Sequence, residues 1–190
     1  GYFDHIQKIC NEFEILFIAD EVITGFGRTG NWFASQTMDL KPDLVALAKG
    51  LTSGYMPMSA VLVGDKIAEH LINEGGEFYH GFTYSGHPVS AAVALANLEL
   101  IETEGLIGRV RDITAPYLAN AIKQLDSHPL VGETRSFGLL ACIELVKHKS
   151  GPVLFEPIGE VGILCRDHAI KGGLMVRAVR DGIILSPPLS

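Results

Sequence analysis

The stretch Ile15-Leu16-Phe17-Ile18-Ala19-Asp20-Glu21 is an apolar run that stops abruptly at two acidic residues. Two similar runs follow, Leu44-Val45-Ala46-Leu47-Ala48-Lys49-Gly50 and Ala60-Val61-Leu62-Val63-Gly64-Asp65. Short continuous apolar runs that end at turn residues are typical of strands buried on both faces of a sheet. Three such runs, separated by glycine-containing segments, predict an α/β sheet in the first half of the chain.

The second half of the chain mixes helical and strand patterns. Pro88 opens a run of small and apolar residues that predicts a buried helix. Apolar residues then recur at helical spacing between 106 and 125, where Pro116 should kink or divide the helix. The remaining predicted elements are a strand at 139–146, a polar connection at 147–157, a helix at 160–171 and a strand at 174–179. The change of pattern near Gly105 separates a sheet-rich part, residues 1–104, from an α+β part, residues 105–190.

Composition restricts the class of protein. The chain has 190 residues, of which 47% are hydrophobic and 19% are charged, with a formal net charge of −7 at pH 7. This profile excludes a disordered, collagenous or coiled-coil protein, and the negative charge argues against nucleic acid as a partner. Because no apolar run approaches the ~18 residues of a membrane-spanning helix, we expect no membrane partner.

The cysteines and the chain ends add two expectations. Cys10, Cys142 and Cys165 match neither the spacing of a zinc ligand set nor that of a disulfide framework. We therefore predict no metal and a reducing, cytoplasmic location. Since the chain starts at Gly1 instead of Met, we expect it to be a piece of something larger.

Two motifs are similar to nucleotide-binding sites but lack the context of such sites. Gly25-Phe26-Gly27-Arg28-Thr29-Gly30 satisfies the pattern G-x-G-x-x-G, yet residues 20–24 separate it from the preceding strand, and Asp43 precedes the next strand instead of ending it. We interpret this segment as a tight loop. The strand ending at Asp20 is similar to the magnesium-binding strand of ATPases, but the chain contains no Gly-Lys-Ser/Thr phosphate loop. An ATPase therefore stays as the less favoured alternative.

Asp20 and Lys49 carry the first functional signal, because each follows an apolar strand. Ligands of open α/β sheets gather at the carboxyl ends of the strands, so both side chains are expected at one edge. Lys49 lies between five apolar residues and Gly50, which predicts partial desolvation of its ammonium and favours the neutral, nucleophilic amine. Pyridoxal phosphate (PLP) needs such a pair, a lysine for its imine and an aspartate for its ring nitrogen. Taken alone, Asp20 is also typical of a turn.

The segment His80-Gly81-Phe82-Thr83-Tyr84-Ser85-Gly86-His87-Pro88 is a hydroxyl-rich loop that opens the predicted helix. Free N–H groups at a helix start, with the Thr83 and Ser85 hydroxyls beside them, can hold a phosphate. An ordinary capped helix would show the same pattern. His80 and His87 have no further ligand types clustered with them, so a metal is not expected there.

Arg177 is the last candidate. By strand alternation it shares a face with Met175 and Val179. A guanidinium on an apolar face requires an anion, which would be either a substrate carboxylate or an acidic side chain of the chain itself.

Together these segments resemble the class III (omega) PLP-dependent aminotransferases, most closely the branch that uses omega-amines or omega-amino acids with pyruvate. The resemblance rests on residues 16–30, on Pro42-Asp43, on Ala48-Lys49-Gly50-Leu51 and on the loop from His80 to Pro88, which occur in the family's order. Family members are more than twice as long, and their Ser-Gly phosphate loop and ring-stacking aromatic lie upstream of the matched stretch. The chain therefore looks like a C-terminal fragment.

The resemblance implies fold type I of the PLP-dependent transferases, an α/β fold. Residues 1–104 would form the C-terminal half of the large, PLP-binding domain, with a mixed, mostly parallel sheet. Residues 105–190 would form an incomplete small α+β domain.

The family also implies a role for each candidate residue. Lys49 would be the Schiff-base lysine, Asp20 the acid on the pyridine nitrogen, and Val22 the side chain against one face of the ring. Thr83 would contact the cofactor phosphate of the neighbouring subunit, which implies a homodimer with shared active sites. Arg177 matches the arginine that binds the substrate carboxylate.

The implied function is transfer of an amino group from an amine or omega-amino acid to a keto acid such as pyruvate, through a lysine Schiff base. The same residues would support an aminomutase, a racemase or a decarboxylase, because unseen side chains decide which bond breaks. Without the upstream phosphate loop, a catalytically incomplete, non-enzymatic fragment is a further alternative.

Overall fold

The computed structural model describes residues 1–151 and 153–190. Pro152, within the predicted polar connection, lies outside the described residues. The chain divides into two compact units, Gly1–Ile107 and Gly108–Ser190.

The first unit is a three-stranded sheet with accompanying helices. Its helices are α1 (Tyr2–Glu12), α2 (Ala34–Thr37), α3 (Asp65–Asn73) and α4 (Pro88–Thr103), and a 3-10 turn covers Lys49–Leu51. Its strands are β1 (Ile18–Asp20), β2 (Leu44–Leu47) and β3 (Ala60–Val63), in the order β1-β2-β3. β1 runs parallel to β2 and β3 runs antiparallel to it. The sheet is mixed, as predicted, but its described strands form one parallel and one antiparallel pair, so they are not mostly parallel.

The prediction that these strands are buried on both faces is wrong for this structure. Ile18 in β1 is 61% exposed and Val61 in β3 is 58% exposed. An apolar run identifies a strand but does not specify the layers around it, and the described chain puts no second layer over these side chains. The core of this unit gathers around Phe26, Leu47, Leu51, Ala94 and Ile101.

Helix α4 is also less buried than predicted. Ala94 and Ile101 are buried, but Leu95 is 69% exposed. Only one side of the helix packs on the unit, although its apolar residues continue around it.

Pro116 divides the helical stretch that follows, as predicted. The stretch consists of α5 (Leu106–Arg109), a π-helical turn (Val110–Thr114), α6 (Ala115–Lys123) and a 3-10 turn (Gln124–Ser127). Proline lacks the N–H of a regular helix and its ring crowds the preceding turn, which explains the irregular segment just before it.

The second unit is built on an antiparallel sheet. Its strands are β4 (Val131–Phe137), β5 (Leu140–Leu145), β6 (Arg177–Val179) and β7 (Gly182–Leu185), in the order β4-β5-β7-β6. Helix α7 (Glu160–Lys171) packs on β6 and β7, and α6 packs on β4 and β5. The helix predicted at 160–171 is confirmed, whereas the strand predicted from 174 begins only at Arg177 and β4 was not predicted.

A tight hairpin joins β6 to β7 and ties them to α7. Val179 pairs with Gly182, and Arg180 in the turn between them has a φ of +52°. The buried Asp181 carboxylate accepts hydrogen bonds from the backbone N–H groups of Gly159 and Gly162, both at 2.9 Å. A carboxylate at a helix N-terminus satisfies N–H groups that the helix itself leaves unpaired, so the hairpin and the helix hold each other.

Candidate active site

Asp20 ends β1 at the edge of the first sheet. It lies opposite Ala46 in the parallel pair, so Asp20 and Lys49, just past the end of β2, leave the sheet at the same edge. The backbone N–H of Val22 donates to Oδ1 of Asp20 at 3.0 Å, which makes Asp20 a turn residue as well. The two roles are compatible because the carboxylate is exposed and Oδ2 takes no part in this bond.

Lys49 lies in an unusual backbone conformation. It opens the 3-10 turn with a φ of +45°, in the left-handed region. This conformation costs a non-glycine residue about 1–2 kcal/mol and persists only where the surroundings fix the backbone. The predicted desolvation of the ammonium is not observed: the turn buries Leu51 and leaves the Lys49 side chain exposed.

Two neighbours hold this turn. The amide Nδ2 of Asn97, on α4, donates to the carbonyl of Gly50 at 2.8 Å and to that of Leu51 at 3.1 Å. On another side, a Cβ added to Gly50 would lie 3.0 Å from Cβ and Cδ2 of Phe26. A side chain at position 50 would therefore require the Phe26 ring to shift, so glycine permits the observed close packing.

The segment 25–30 forms a tight loop, as predicted. Phe26 and Gly27 both have positive φ, +60° and +95°. The N–H of Phe26 donates to the carbonyl of Trp32 at 2.6 Å, and the N–H of Gly27 donates to that of Asn31 at 3.1 Å. The loop thus closes on itself and places the buried Phe26 beside the Lys49 turn.

Glu21 anchors the segment between Asp20 and this loop. Its side chain is only 3% exposed. Its carboxylate accepts from the N–H groups of Ala34 at 2.9 Å and Ser35 at 2.6 Å, at the start of α2, and from the hydroxyl of Thr24. A buried carboxylate with three donors fixes the backbone on either side of it, so Glu21 supports the position of Asp20 and Val22.

Thr83 lies in an exposed turn that precedes α4. The N–H of Ser85 donates to the carbonyl of Phe82, and the N–H of Phe82 donates to Oγ of Ser85, both at 2.9 Å. No side chain caps the helix at its N-cap residue, His87. The alternative of an ordinary side-chain cap is therefore not realised.

This loop also lines an open pocket of about 530 Å³. The other wall comes from Pro57, Met58 and Ser59, which lead into β3. Phe82 and Tyr84 line it, but Thr83, Asp20 and Lys49 are not among its described lining residues. The pocket therefore does not join the Thr83 loop to the Lys49 edge.

Arg177 opens β6 in the second unit and is exposed. Met175 and Val179, on the same face by alternation, are 88% and 48% exposed. Within residues 1–151 and 153–190, no carboxylate lies at ion-pair distance from Arg177. The alternative of an internal salt bridge is therefore not observed there.

The residues at the sheet edge suit PLP. A primary amine and a carboxylate on adjacent strand ends, both open to solvent, match its aldehyde and its pyridine nitrogen. In the described part of the chain, no group of three or more His, Cys, Asp or Glu side chains is placed to hold a metal ion. Among the described helices, none has the length and apolar character needed to cross a membrane.

The sequence interpretation missed Asn97 and the structural role of Glu21. A lone amide within an apolar, small-residue helix was the available signal for Asn97, since a polar group there needs hydrogen-bond partners. Glu21 carried no such signal, because its partners in α2 are backbone N–H groups that any sequence provides.

Comparison with known proteins places this geometry in a family. The sequence profile of the family Aminotransferase class-III matches residues 1–184. A putrescine–pyruvate aminotransferase of Pseudomonas aeruginosa is 55% identical over 188 residues, which is 99% of this chain and 41% of that protein. The chain thus spans about two fifths of the length of such relatives.

Solved structures agree at the level of the fold. A thermostable (S)-enantioselective omega-transaminase from Thermomicrobium roseum superimposes with a TM-score of 0.95 and 43% identity, over 100% of this chain and 42% of that one. An omega transaminase from Pseudomonas jessenii in complex with PMP gives 0.94 and 41%, over 99% and 42%. A profile match across nearly the whole chain, together with this structural agreement, shows that the chain belongs to the PLP-dependent class III aminotransferases.

Proposed function

We propose that the protein containing this chain is a PLP-dependent transaminase that moves an amino group from an amine or omega-amino acid to a keto acid such as pyruvate. The proposal rests on one observation: Asp20 and Lys49 lie at or just past the carboxyl ends of two adjacent parallel strands, at the same edge of the sheet. The similarity to a putrescine–pyruvate aminotransferase supports a diamine donor and pyruvate as acceptor.

Each residue at the edge has a distinct role in this proposal. When bound, PLP supplies an electron sink that stabilises negative charge on the substrate carbon. Lys49 would hold the cofactor through its Nζ and, as a free amine, accept and return the substrate proton. The Asp20 carboxylate would keep a proton on the pyridine nitrogen, and Val22 would pack against the ring.

Arg177 would bind the carboxylate of the keto acid. Its exposed guanidinium has no internal ion-pair partner among the described residues. A guanidinium can bind a carboxylate through two parallel hydrogen bonds, which supports this role.

We further propose a homodimer in which Thr83 contacts the cofactor phosphate of the neighbouring subunit. The exposed turn around Thr83 supports this, because no element of the described chain covers it. Residues 1–104 and 105–190 would belong to the large and small domains of the family. This division lies three residues before the boundary between the two compact units, Gly1–Ile107 and Gly108–Ser190.

We also propose that the protein is cytoplasmic. Cys10, Cys142 and Cys165 are all free, as expected in a reducing compartment. Burial raises the pKa of the Cys142 thiol, which keeps it protonated and poorly reactive at neutral pH.

Replacement of Lys49 tests the proposed activity. In Lys49→Ala, formation of alanine from pyruvate with putrescine as donor should fall by at least about 10²-fold, because the proton-transferring amine is lost. Lys66→Ala, on the exposed side of α3, is the matched control and should keep wild-type turnover. Wild-type turnover in Lys49→Ala would remove Lys49 from its role, and a wild-type protein without turnover would refute the transaminase proposal.

A further inference from the structure

We propose that Asn97 is a positioning residue that fixes the turn carrying Lys49. The consequence for catalysis rests on the proposed role of Lys49, whereas the structural part of the inference does not. Asn97 lies on α4, which contacts the 3-10 turn Lys49–Leu51.

The Asn97 amide binds the two peptide groups that close the turn. The peptide joining Gly50 to Leu51 gives its carbonyl to Nδ2 of Asn97 at 2.8 Å and its N–H to the carbonyl of Ala48 at 3.1 Å. The next peptide gives the carbonyl of Leu51 to the same Nδ2 at 3.1 Å, and the N–H of Thr52 to the carbonyl of Lys49 at 3.2 Å. The two peptide planes that follow the Lys49–Gly50 peptide are therefore held at each end.

The other polar atom of Asn97 is also engaged. Its Oδ1 accepts from the hydroxyl of Ser53 at 2.6 Å, which orients the amide with its two N–H groups toward the turn. The Asn97 side chain thus makes three hydrogen bonds, to Gly50, Leu51 and Ser53. Asn97 is half-buried, so removal of the amide would leave the two carbonyls without their side-chain partner next to the core.

The turn needs such support because Lys49 has a φ of +45°. Apolar packing alone does not fix the peptide planes of the turn. The buried Leu51 anchors one end of the turn, but a hydrophobic contact has no preferred direction. Phe26 limits the space at Gly50 from another side. The Asn97 amide adds directional bonds from a side chain to the two backbone bonds of the turn, so the direction in which Lys49 leaves the backbone depends on it.

The first test is amide hydrogen exchange in the cofactor-free protein. The deciding variant is Asn97→Asp, which keeps the side-chain size and the acceptor for Ser53 but presents an oxygen to the two carbonyls. Exchange at the Leu51 and Thr52 amides should become at least about tenfold faster, relative to the amide of Gly64, which follows β3 and donates to the carbonyl of Asp43. Asn97→Ala should show the same pattern.

Glu99→Gly provides the control for a general weakening of α4. Glu99 is exposed two positions further along the helix, and glycine lowers helix stability without touching the turn. The proposal is overturned if Asn97→Asp leaves the Leu51 and Thr52 amides at the wild-type rate, or if Glu99→Gly accelerates them as much.

The second test measures how readily the amine of Lys49 reacts with PLP. Each protein is mixed with PLP, reduced with borohydride and digested, and the adduct on Lys49 is compared with that on Lys66 by mass spectrometry. The ratio should fall about tenfold in Asn97→Asp and stay unchanged in Glu99→Gly. An unchanged ratio in Asn97→Asp would contradict the positioning role. If the wild-type protein gains no adduct at Lys49, the proposed function fails, and hydrogen exchange still decides whether Asn97 fixes the turn.

Discussion

Several side chains at the sheet edge that carries Asp20 and Lys49 fix the backbone by hydrogen bonds. Asp20 turns the chain through its bond with the Val22 N–H. Glu21 ties the next segment to α2 through two accepted hydrogen bonds and accepts a third from the Thr24 hydroxyl. Lys49 is exposed while its own backbone is held in a costly conformation. The position of the proposed catalytic side chains therefore depends on the hydrogen bonds of neighbouring residues.

Arg177 gives the prediction that belongs to this scale. In Arg177→Lys the positive charge remains but the two-point geometry of the guanidinium is lost. We expect the KM for pyruvate to rise about tenfold, the size of one charge-assisted hydrogen bond, with little change in the KM for the amine donor. Steady-state kinetics with each substrate varied in turn measures this.

Arg109→Lys, at an exposed position of α5, is the control and should leave both constants unchanged. Equal changes in the two KM values of Arg177→Lys would contradict a role for Arg177 in binding the keto acid.

At the scale of elements, the β6–β7 hairpin and α7 depend on a close backbone approach. A Cβ on Gly162 would lie 2.1 Å from the carbonyl oxygen of Arg180 and 2.9 Å from Cα of Asp181. The same hairpin carries Arg177, so this contact links the fold of the second unit to its candidate binding residue.

Gly162→Ala should therefore destabilise the protein by about 3 kcal/mol, because backbone cannot move aside as a side chain can. Urea unfolding followed by circular dichroism measures the free energy. Gly108→Ala is the matched control: it lies in α5, where the nearest contact of a new Cβ is the flexible end of Arg111 at 3.8 Å. It should be neutral or stabilising by up to about 1 kcal/mol. Equal effects of the two substitutions would rule out the clash.

Some helices and strands could be predicted because their signals lie within the element itself. The strand at 60–63, the helix at 160–171 and the division at Pro116 follow from apolar runs, terminal glycines and the missing proline N–H. Burial could not be predicted in the same way, since Ile18 is apolar but exposed. An apolar run does not say what lies above it.

The candidate site shows the same limit. The shared edge of Asp20 and Lys49 follows from the positions of two strand ends. The left-handed turn is instead supported by hydrogen bonds from Asn97, whose partners lie 46 and 47 positions earlier in the chain. Such pairings are set by the packing of α4 and leave little trace in either segment alone.

For the whole molecule, the most informative feature is the aromatic loop before α4. Tyr79, Phe82 and Tyr84 are 87%, 78% and 83% exposed, beside the turn that holds Thr83. Single-chain surfaces rarely display clustered large apolar groups unless they bind a partner. A second copy of the protein is the partner that the proposed shared active site requires.

Sedimentation equilibrium should thus give twice the mass of one chain for the wild-type protein. The double variant Phe82→Ser/Tyr84→Ser should sediment as a monomer at micromolar concentration, because two aromatic side chains at the centre of an interface are typical hot spots. The control pair Tyr2→Ser/Phe13→Ser removes two exposed aromatic side chains, at the first residue of α1 and just after its end, and should remain dimeric. A monomeric wild-type protein, or equal dissociation of both pairs, would contradict the proposed dimer.

In the proposed enzyme, one amine, that of Lys49, carries the cofactor. The direct measurement is to reduce the PLP-loaded protein with borohydride and to locate the modified lysine by peptide mapping at a stoichiometry of one PLP per chain. We predict that the adduct lies on Lys49, and that it is lost in Lys49→Ala without appearing elsewhere. A stoichiometric adduct on any other lysine, or none on the wild-type protein, would contradict the account.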